Sequence, residues 1–458
     1  MSDPRAPLAQ AAGPAEGPAQ EQVLAVGRRI DAAMPHGRSP GGGLDDALMR
    51  AAAGDEELRR ALFRFIDVRP ACRTRGELGE HLAALLADAA PPTRAGRLAR
   101  SLARAPLTRP LAAAAAGLAA QRLARRFILA AGAQEALPAL GDLWRAGVAS
   151  SLDLLGEESV SETEADAYAA RCVAALESLA AGSRAWPART TLEGDSIGAL
   201  ARVNLSVKVT ALTHQIRPDA PRRGMEDALA RLRSILRRAQ QLRAHVHVDM
   251  ESLDSRETVL GLVLELLAEP EFAQGPSAGV VLQAYLRDSQ RELDQILDWV
   301  AHTPRDPPLT IRLVKGAYWD HEVVEARQHG WEVPVFQTRA ECDRNFESLT
   351  RRLLTVHPSV RLALGSHNLR SVAHGIACAQ RLGLQSREIE LQVLRGLGDD
   401  LARALARLGL RVRMYCPVGD LVEGMAYLVR RMLENTANES FLQSRARGAP
   451  LEQLLAAP

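Results

Sequence analysis

"HVHVDMESLDSRETVLGLVLELLAEPEFAQGPSAGVVLQAYL", residues 245–286, changes periodicity twice. Its head "HVHVDM" (245–250) alternates polar and apolar residues with period two, as a pleated strand does. The stretch "GVVLQAYL" (279–286) is a second strand-like run, preceded by Gly-Pro. Between them "SRETVLGLVLELLAEP" carries apolar residues at spacings of three and four, the signature of a helix with one buried face. Strand, helix and strand make a βαβ unit, in which the crossover forces the two strands to run parallel.

The same alternation extends in both directions. Further strand candidates are 148–155, 201–212, 309–315, 360–367, 389–394 and 411–418, and helical segments such as "EADAYAARCVAALESLAA", "EDALARLRSILRRAQQLRA" and "DLARALARLGL" follow most of them. Eight βα repeats predict an α/β fold, a (βα)8 TIM-type barrel, over 146–442. A doubly wound sheet is the alternative, and it lacks a G-x-G-x-x-G turn after a first strand. Residues 1–20 are Pro/Ala/Gly/Gln-rich and are expected to be disordered. Residues 21–145 read as helices without strands, an all-helical arm and small helical domain in front of the barrel, and "GGG" at 41–43 reads as a linker. A tail fills 443–458.

Composition narrows the function classes. In 458 residues the formal charge is +2, with 57 basic and 55 acidic side chains, so no overall basic excess points to a nucleic-acid partner. The Ala/Leu-rich run "LAAAAAGLAAQRLARRF" is interrupted by arginines before it reaches membrane-spanning length. The head "MSDPRAPLAQAAGPAEGPAQEQ" lacks the basic-then-apolar layout of a signal peptide. The five cysteines are far apart and form no CxxC pair, which fits a reducing cytoplasmic compartment without a disulfide framework or a structural metal.

All but two of the 57 basic residues are arginine, so Lys208 in "NLSVKVTAL" and Lys315 in "TIRLVKGAYW" each need a local reason. A lysine is a compact point charge on a flexible stem, and an arginine is a planar fork; a site shaped for one is poorly served by the other. Both lysines fall where barrel active sites are built, at the C-terminal ends of strands. Also there are Asp153, Glu157, Asp249, Glu251, Gln283, Arg312, Ser366, His367, Asn368, Gln392 and Tyr415. Taken singly, Asp249 reads equally well as the N-cap of the next helix. His245 and His247 read as strand or core residues rather than ligands. On a helix over 420–437, Tyr427, Arg430, Arg431 and Glu434 share a face, where a solvated Arg430–Glu434 pair is the plain alternative.

Taken together, "SLDLLGEE", "VNLSVKVTAL", "HVHVDMES", "GVVLQAYLRDS", "IRLVKGAYWD", "LGSHNLRS", "ELQVLRGLG" and "RMYCPVGDLVEGMAYLVRRMLENTANESF" resemble the proline dehydrogenase family, in the form found as the first unit of bacterial bifunctional proline utilisation proteins. The resemblance covers about 150–441, and 21–145 is similar to the helical region preceding that barrel. It implies non-covalent FAD and oxidation of L-proline to Δ1-pyrroline-5-carboxylate, with Asp249 and Arg312 as the catalytic pair. By the same likeness Arg430, Arg431 and Lys208 hold the proline carboxylate, and Asp249, Ala317, Leu394, Tyr415 and Tyr427 line its ring. Gln283, Arg312, Lys315, Gly316, Ala317, Trp319, Ser366, His367, Asn368 and Gln392 match flavin contacts, with Met250 beside them and Glu434 reaching the flavin from its helix.

The resemblance further implies a membrane quinone as electron acceptor, a peripheral encounter with the inner membrane and a separate pyrroline-5-carboxylate dehydrogenase, because neither an aldehyde dehydrogenase unit nor a DNA-binding head is expected here. Two departures stand out. "LRGLG" (394–398) replaces the expected "LHGMG", with Arg395 and Leu397 as the changed residues, and "TRAECDRNF" is a loose version of the loop expected after the fourth helix. Two other classes compete: a barrel lyase with Lys208 or Lys315 as Schiff-base amine, and a non-catalytic scaffold.

Overall fold

The computed structural model describes residues 17–35, 55–89, 91–156, 158–215, 221–420, 424, 427 and 448–458. Within it the strand segments form one closed, all-parallel barrel in chain order: β1 (Val148–Leu154), β2 (Asn204–Val207), β3 (His245–Val248), β4 (Ser277–Gln283), β5 (Thr310–Val314), β6 (Arg361–Gly365), β7 (Glu390–Leu394) and β8 (Arg411–Val418). β1 closes the ring on β8, in register from Val148 opposite Val412 to Leu154 opposite Val418.

Period-two alternation sorts each strand into an inner and an outer face. Val246 and Val248, Ile311 and Leu313, and Val412, Met414 and Cys416 pack outward into the apolar layer beneath the surrounding helices. The intervening positions turn inward and are polar. Asn204, His245, Thr310, Arg361, Glu390, Arg411 and Arg413 surround a small interior space near the strand starts. Buried charges are tolerable only when paired, and here they are. Arg413 donates to Glu390 at 2.8 Å, while Arg361 and Arg411 donate to Asp195 at 2.9 and 3.0 Å. Burial works against the Glu390 charge, but Arg413 and Arg411 outweigh it and bring its pKa down to about 2.

Six apolar residues, Leu58, Ala61, Phe65, Leu82, Leu86 and Ala103, give the helices between Glu56 and Phe127 a core of their own. Helix Gln20–Ala33 does not join them. Its stripe Val23, Val26 and Ile30 is buried in the barrel's outer core, as are Ala136, Leu140 and Trp144 of helix Ala133–Arg145. The helical region before the barrel is therefore split between two cores. The chain's end also returns to this side: Leu455 is buried, and its carbonyl accepts from Gln20 at 2.9 Å and from Arg370 at 3.0 Å. The glycines at 41–43 and most of the expected 420–437 helix lie outside the described residues. No helix among the described residues is long and apolar enough to cross a membrane.

Candidate active site

The inward face of each strand, continued toward its C-terminal end, supplies the site. Two positions beyond Ser206 comes Lys208; beyond His247, Asp249; beyond Thr310, Arg312; beyond Glu390, Gln392; and beyond Arg413, Tyr415. These side chains line a cavity of about 900 Å³ at the barrel mouth, a size suited to a cofactor together with a small substrate. Every candidate residue among the described ones lines it: Lys208, Asp249, Met250, Gln283, Arg312, Lys315, Gly316, Ala317, Trp319, Ser366, His367, Asn368, Gln392, Leu394, Tyr415 and Tyr427. Arg430, Arg431, Glu434 and Glu157 lie outside the described residues.

Asp249 organises the floor. One carboxylate oxygen accepts from Arg312 Nη1 at 2.5 Å and the other from the Tyr415 hydroxyl at 2.7 Å. Arg312 also donates to Ser206 Oγ at 3.2 Å and lies over the Tyr415 ring at 5.5 Å. Burial, with Asp153 and Asp249 nearby, pushes the Tyr415 phenol well above its usual range, so it remains a donor. The helix-capping reading of Asp249 is thereby set aside: the next helix begins at Leu253, and Ser252 occupies its N-cap.

Lys208 pairs with the fully buried Asp153 of β1. Burial alone would lower its pKa, but the carboxylates of Asp153, Asp249 and Glu251 outweigh that and hold the ammonium charged. Lys315 behaves differently. Burial lowers its pKa despite an ion pair with Asp343, and its ammonium sits 5.6 Å from the Phe346 ring centroid.

The walls carry further hydrogen-bonding groups that face the cavity. His367 Nε2 accepts the Leu394 N–H at 2.8 Å, which leaves the ring proton on Nδ1. Asn368 caps helix Leu369–Arg381, accepting from Ser371 N at 3.2 Å, so a helix N-terminus opens near the cavity. Gln283 gives its amide to the Glu251 carbonyl at 3.1 Å, and its buried Oε1 has no hydrogen-bond partner among the described residues. Such an acceptor is expected to be satisfied by a ligand or ordered water. Gly316, with φ +129°, lies where a Cβ would be 2.3 Å from the Tyr285 ring. The donor set and this glycine fit a flat, polar-edged cofactor.

Several site residues escape a reading by strand ends. Asp153 is visible there as a polar strand-end residue, yet its partnership with Lys208 requires ring closure. Asp343 and the run Phe336, Gln337, Thr338 and Arg339 come from the segment joining β5 to β6. This corrects the expected place of "TRAECDRNF", which follows helix Trp319–His329 after β5 rather than the barrel's fourth helix. At the other departure, Leu397 lines the cavity and Arg395 donates its backbone N–H to the Tyr415 carbonyl at 3.1 Å. His245 and His247 are hydrogen-bonded to one another at 3.2 Å inside the barrel, away from the cavity lining.

Comparison with known proteins places this constellation. Residues 136–444 match the family model described as proline dehydrogenase, more than half of the chain. The chain belongs to the proline dehydrogenase family. Residues 20–127 match the proline utilization A N-terminal domain, the region of the helices before the barrel. The bifunctional protein PutA of Escherichia coli is 32% identical over 360 residues, covering 76% of this chain and 26% of that protein. Proline dehydrogenase 1 of Bacillus subtilis is 27% identical over 319 residues, 70% of this chain and 89% of the relative. Among solved structures, proline utilization A from Bdellovibrio bacteriovorus, inactivated by N-propargylglycine, superposes with a TM-score of 0.87 at 33% identity. It covers 96% of this chain and 44% of its own. The chain thus spans about a quarter of the length of the bifunctional relatives. As a proline dehydrogenase family barrel, it has the polar strand ends of β2, β3, β5 and β8 converging on one cavity.

Proposed function

We propose that this chain catalyses the FAD-dependent oxidation of L-proline to Δ1-pyrroline-5-carboxylate, passing electrons to a membrane quinone and product to a pyrroline-5-carboxylate dehydrogenase. The observation that carries the reading is Asp249 holding both Arg312 and Tyr415 on the floor of the cavity. A barrel built only to stand would have little reason to buttress a buried arginine beside an open cavity.

FAD would be held by Gln283, Arg312, Lys315, Gly316, Ala317, Trp319, Ser366, His367, Asn368 and Gln392, with Met250 alongside and Glu434 from the following helix. Bound there, it supplies the hydride acceptor, the chemistry that side chains cannot provide. The protein supplies charge and position. Asp249 fixes the Arg312 guanidinium, so a cation stands ready where negative charge develops, without reorganisation during the reaction. Lys208, kept charged by the surrounding carboxylates, offers a point charge to the substrate carboxylate, joined by Arg430 and Arg431. Leu394, Ala317, Tyr415 and Tyr427 would press on the proline ring and exclude water, holding the reacting carbon in place. A Schiff-base lyase is less well supported at Lys208, which is held as an ammonium; at Lys315, whose pKa burial lowers, the amine is engaged by Asp343.

A visible spectrum tests the proposal. The purified chain should show a flavin band that bleaches when L-proline is added without oxygen, with release of the cyclic imine. A colourless protein that borohydride links covalently to substrate through a lysine would overturn it in favour of the lyase.

A further inference from the structure

One histidine and two carboxylates converge at the rim of the barrel, outside the cavity lining. His321 and Glu325 stand four residues apart in "HEVVE", so they share a face of helix Trp319–His329, and Asp254 comes from the first turn of helix Leu253–Leu267. One ligand atom of each lies within 4.8 Å of the other two, and His321 Nε2 is 3.3 Å from Glu325 Oε2. Nitrogen and oxygen donors at about 2.0–2.2 Å around a tetrahedral ion stand about 3.4 Å from one another. The helical pair already has that separation, and Asp254, exposed at a helix start, needs only a side-chain rotation to complete it.

A spacing of four on one helix is how H-E-x-x-H zinc helices present two ligands, and "HEVVE" has glutamate in place of the second histidine. Glu322 occupies the position of the general base in such helices, but here it turns inward: it is buried, and its Oε1 accepts the Leu253 N–H at 3.0 Å. Hydrolysis is therefore not what this arrangement serves. Glu322 instead ties the starts of the two helices together, with Leu253 packed in one apolar cluster with Val323, so the three donors are held close before an ion arrives. Their charge is also uncompensated. Elsewhere arginines neutralise surface carboxylates, as Arg237 does Glu271 and Arg287 does Glu332. Among the described residues no arginine or lysine pairs with Asp254, Glu322 or Glu325. Burial raises the Glu322 pKa, and Asp254 and Glu325 add to the rise, as expected where negative charge lacks a counter-ion. An imidazole among the oxygens favours a first-row ion such as zinc over magnesium or calcium.

The two helices follow turns that line the cavity. Helix Leu253–Leu267 comes after the β3 turn of Asp249, Met250 and Glu251, and helix Trp319–His329 after the β5 turn of Lys315, Gly316 and Ala317. We propose that Asp254, His321 and Glu325 form a site for zinc or a similar divalent first-row ion, which staples these two turns together across the end of β4 and slows release of the cofactor between them. The retention half of the inference rests on the FAD reading, and the ion site itself does not.

The test is calorimetric titration of the full-length flavin-loaded chain with zinc chloride, after treatment with a chelator and dialysis. One zinc ion should bind per chain, and magnesium chloride should give no binding. X-ray absorption at the zinc edge should show nitrogen and oxygen neighbours at about 2.0–2.2 Å and no sulfur at about 2.3 Å. Loss of an outer partner weakens such sites by about 10- to 100-fold, so His321→Ala and Asp254→Ala, which remove ligands, should each weaken zinc binding by more than about a hundredfold. Asp320→Asn, at an exposed carboxylate next to the set, should leave it unchanged. All three side chains are exposed, so circular dichroism should be the same in every variant. Zinc should also slow the release of flavin on dilution, and His321→Ala should lose that effect. Absence of zinc binding or a sulfur shell would overturn the site, and so would equal binding by the ligand variants, which would mean an adventitious ion only. Zinc held by these residues with flavin release unchanged would overturn the staple. A chain that holds no flavin would remove the dehydrogenase reading, while the zinc titration would still decide the ion site.

Discussion

Asp249 and Arg312 meet at 2.5 Å on the cavity floor, in a pair whose other carboxylate oxygen is already taken by Tyr415. The carboxylate is thus fully employed in orienting its neighbours. Asp249→Asn retains the shape but weakens a charge-assisted hydrogen bond worth about 1.5–3 kcal/mol. Proline-dependent flavin reduction should slow by roughly ten- to a hundredfold, with flavin still bound. Stopped-flow reduction checks this, and an unchanged rate would remove Asp249 from the catalytic machinery.

Lys208 and Asp153 form the second buried pair, and their energies should be strongly non-additive. Lys208→Met leaves the Asp153 carboxylate buried opposite an apolar group, and breaking such a pair costs about 3–5 kcal/mol. Asp153→Asn combined with Lys208→Met leaves no orphaned charge and should recover most of that stability while proline KM stays raised. Urea denaturation of the two single variants and the double variant measures the coupling, and simple additivity would contradict the pairing.

Buried neutral histidines set the acid limit of the fold. Burial, aided by neighbouring arginines, lowers His245 and His374 to about 3 and His247 well below its usual range. The folded values lie below the unfolded value of about 6.5, so below that pH only the unfolded chain takes up these protons. Stability should therefore fall as pH drops from about 6.5 toward 3, by roughly 1.4 kcal/mol per pH unit for each such histidine. Glu390 adds its own loss below about 4.5, as pH approaches its depressed value of about 2. Denaturation midpoints measured from pH 7 to pH 5 should decline, and His247→Gln should lessen the slope by one histidine. A flat profile would exclude the neutral buried state.

The barrel is legible in the sequence because strand alternation is a local property. "HVHVDM" displays His245, His247 and Asp249 on one face and Val246 and Val248 on the other, and the structure keeps that division. Because inward positions at the strand ends must face the mouth, polar residues there were readable as a site before any partner was known. What remained hidden depends on closure of the ring. Asp195 sits in a loop and gains meaning only where Arg361 of β6 and Arg411 of β8 arrive beside it. Asp343 is similarly one acid among several until Lys315 reaches it. Helix Gln20–Ala33 has the stripe of any amphipathic helix, and periodicity alone does not say which of two cores it joins.

Arg431 lies outside the described residues, and its part rests on "YLVRRMLEN" and on Lys208 facing the same cavity. A guanidinium fork matches a carboxylate with two parallel hydrogen bonds. Arg431→Met should reduce proline turnover by at least about a hundredfold while absorbance at the flavin band is retained. Loss of flavin with unchanged proline kinetics in the residual loaded enzyme would assign Arg431 to the cofactor instead.

Gly316 gives the sharpest test of the cavity wall. Its φ of +129° is one that side chains rarely adopt, and an added Cβ would stand 2.3 Å from the Tyr285 ring. Tyr285 has little freedom to retreat, since it is buried and its backbone N–H donates to the Lys315 carbonyl at 2.7 Å. Gly316→Ala therefore has to displace the β5 turn that carries Lys315, at a backbone cost of about 1–3 kcal/mol. Because Lys315 and Trp319 flank this turn, the cost should fall on cofactor binding: about ten- to a hundredfold weaker flavin retention, with the thermal midpoint of the flavin-free protein lowered by only a few degrees. Fluorescence of released flavin on dilution measures the first and differential scanning calorimetry the second. Equal flavin retention in Gly316→Ala would mean that this wall does not contact the cofactor.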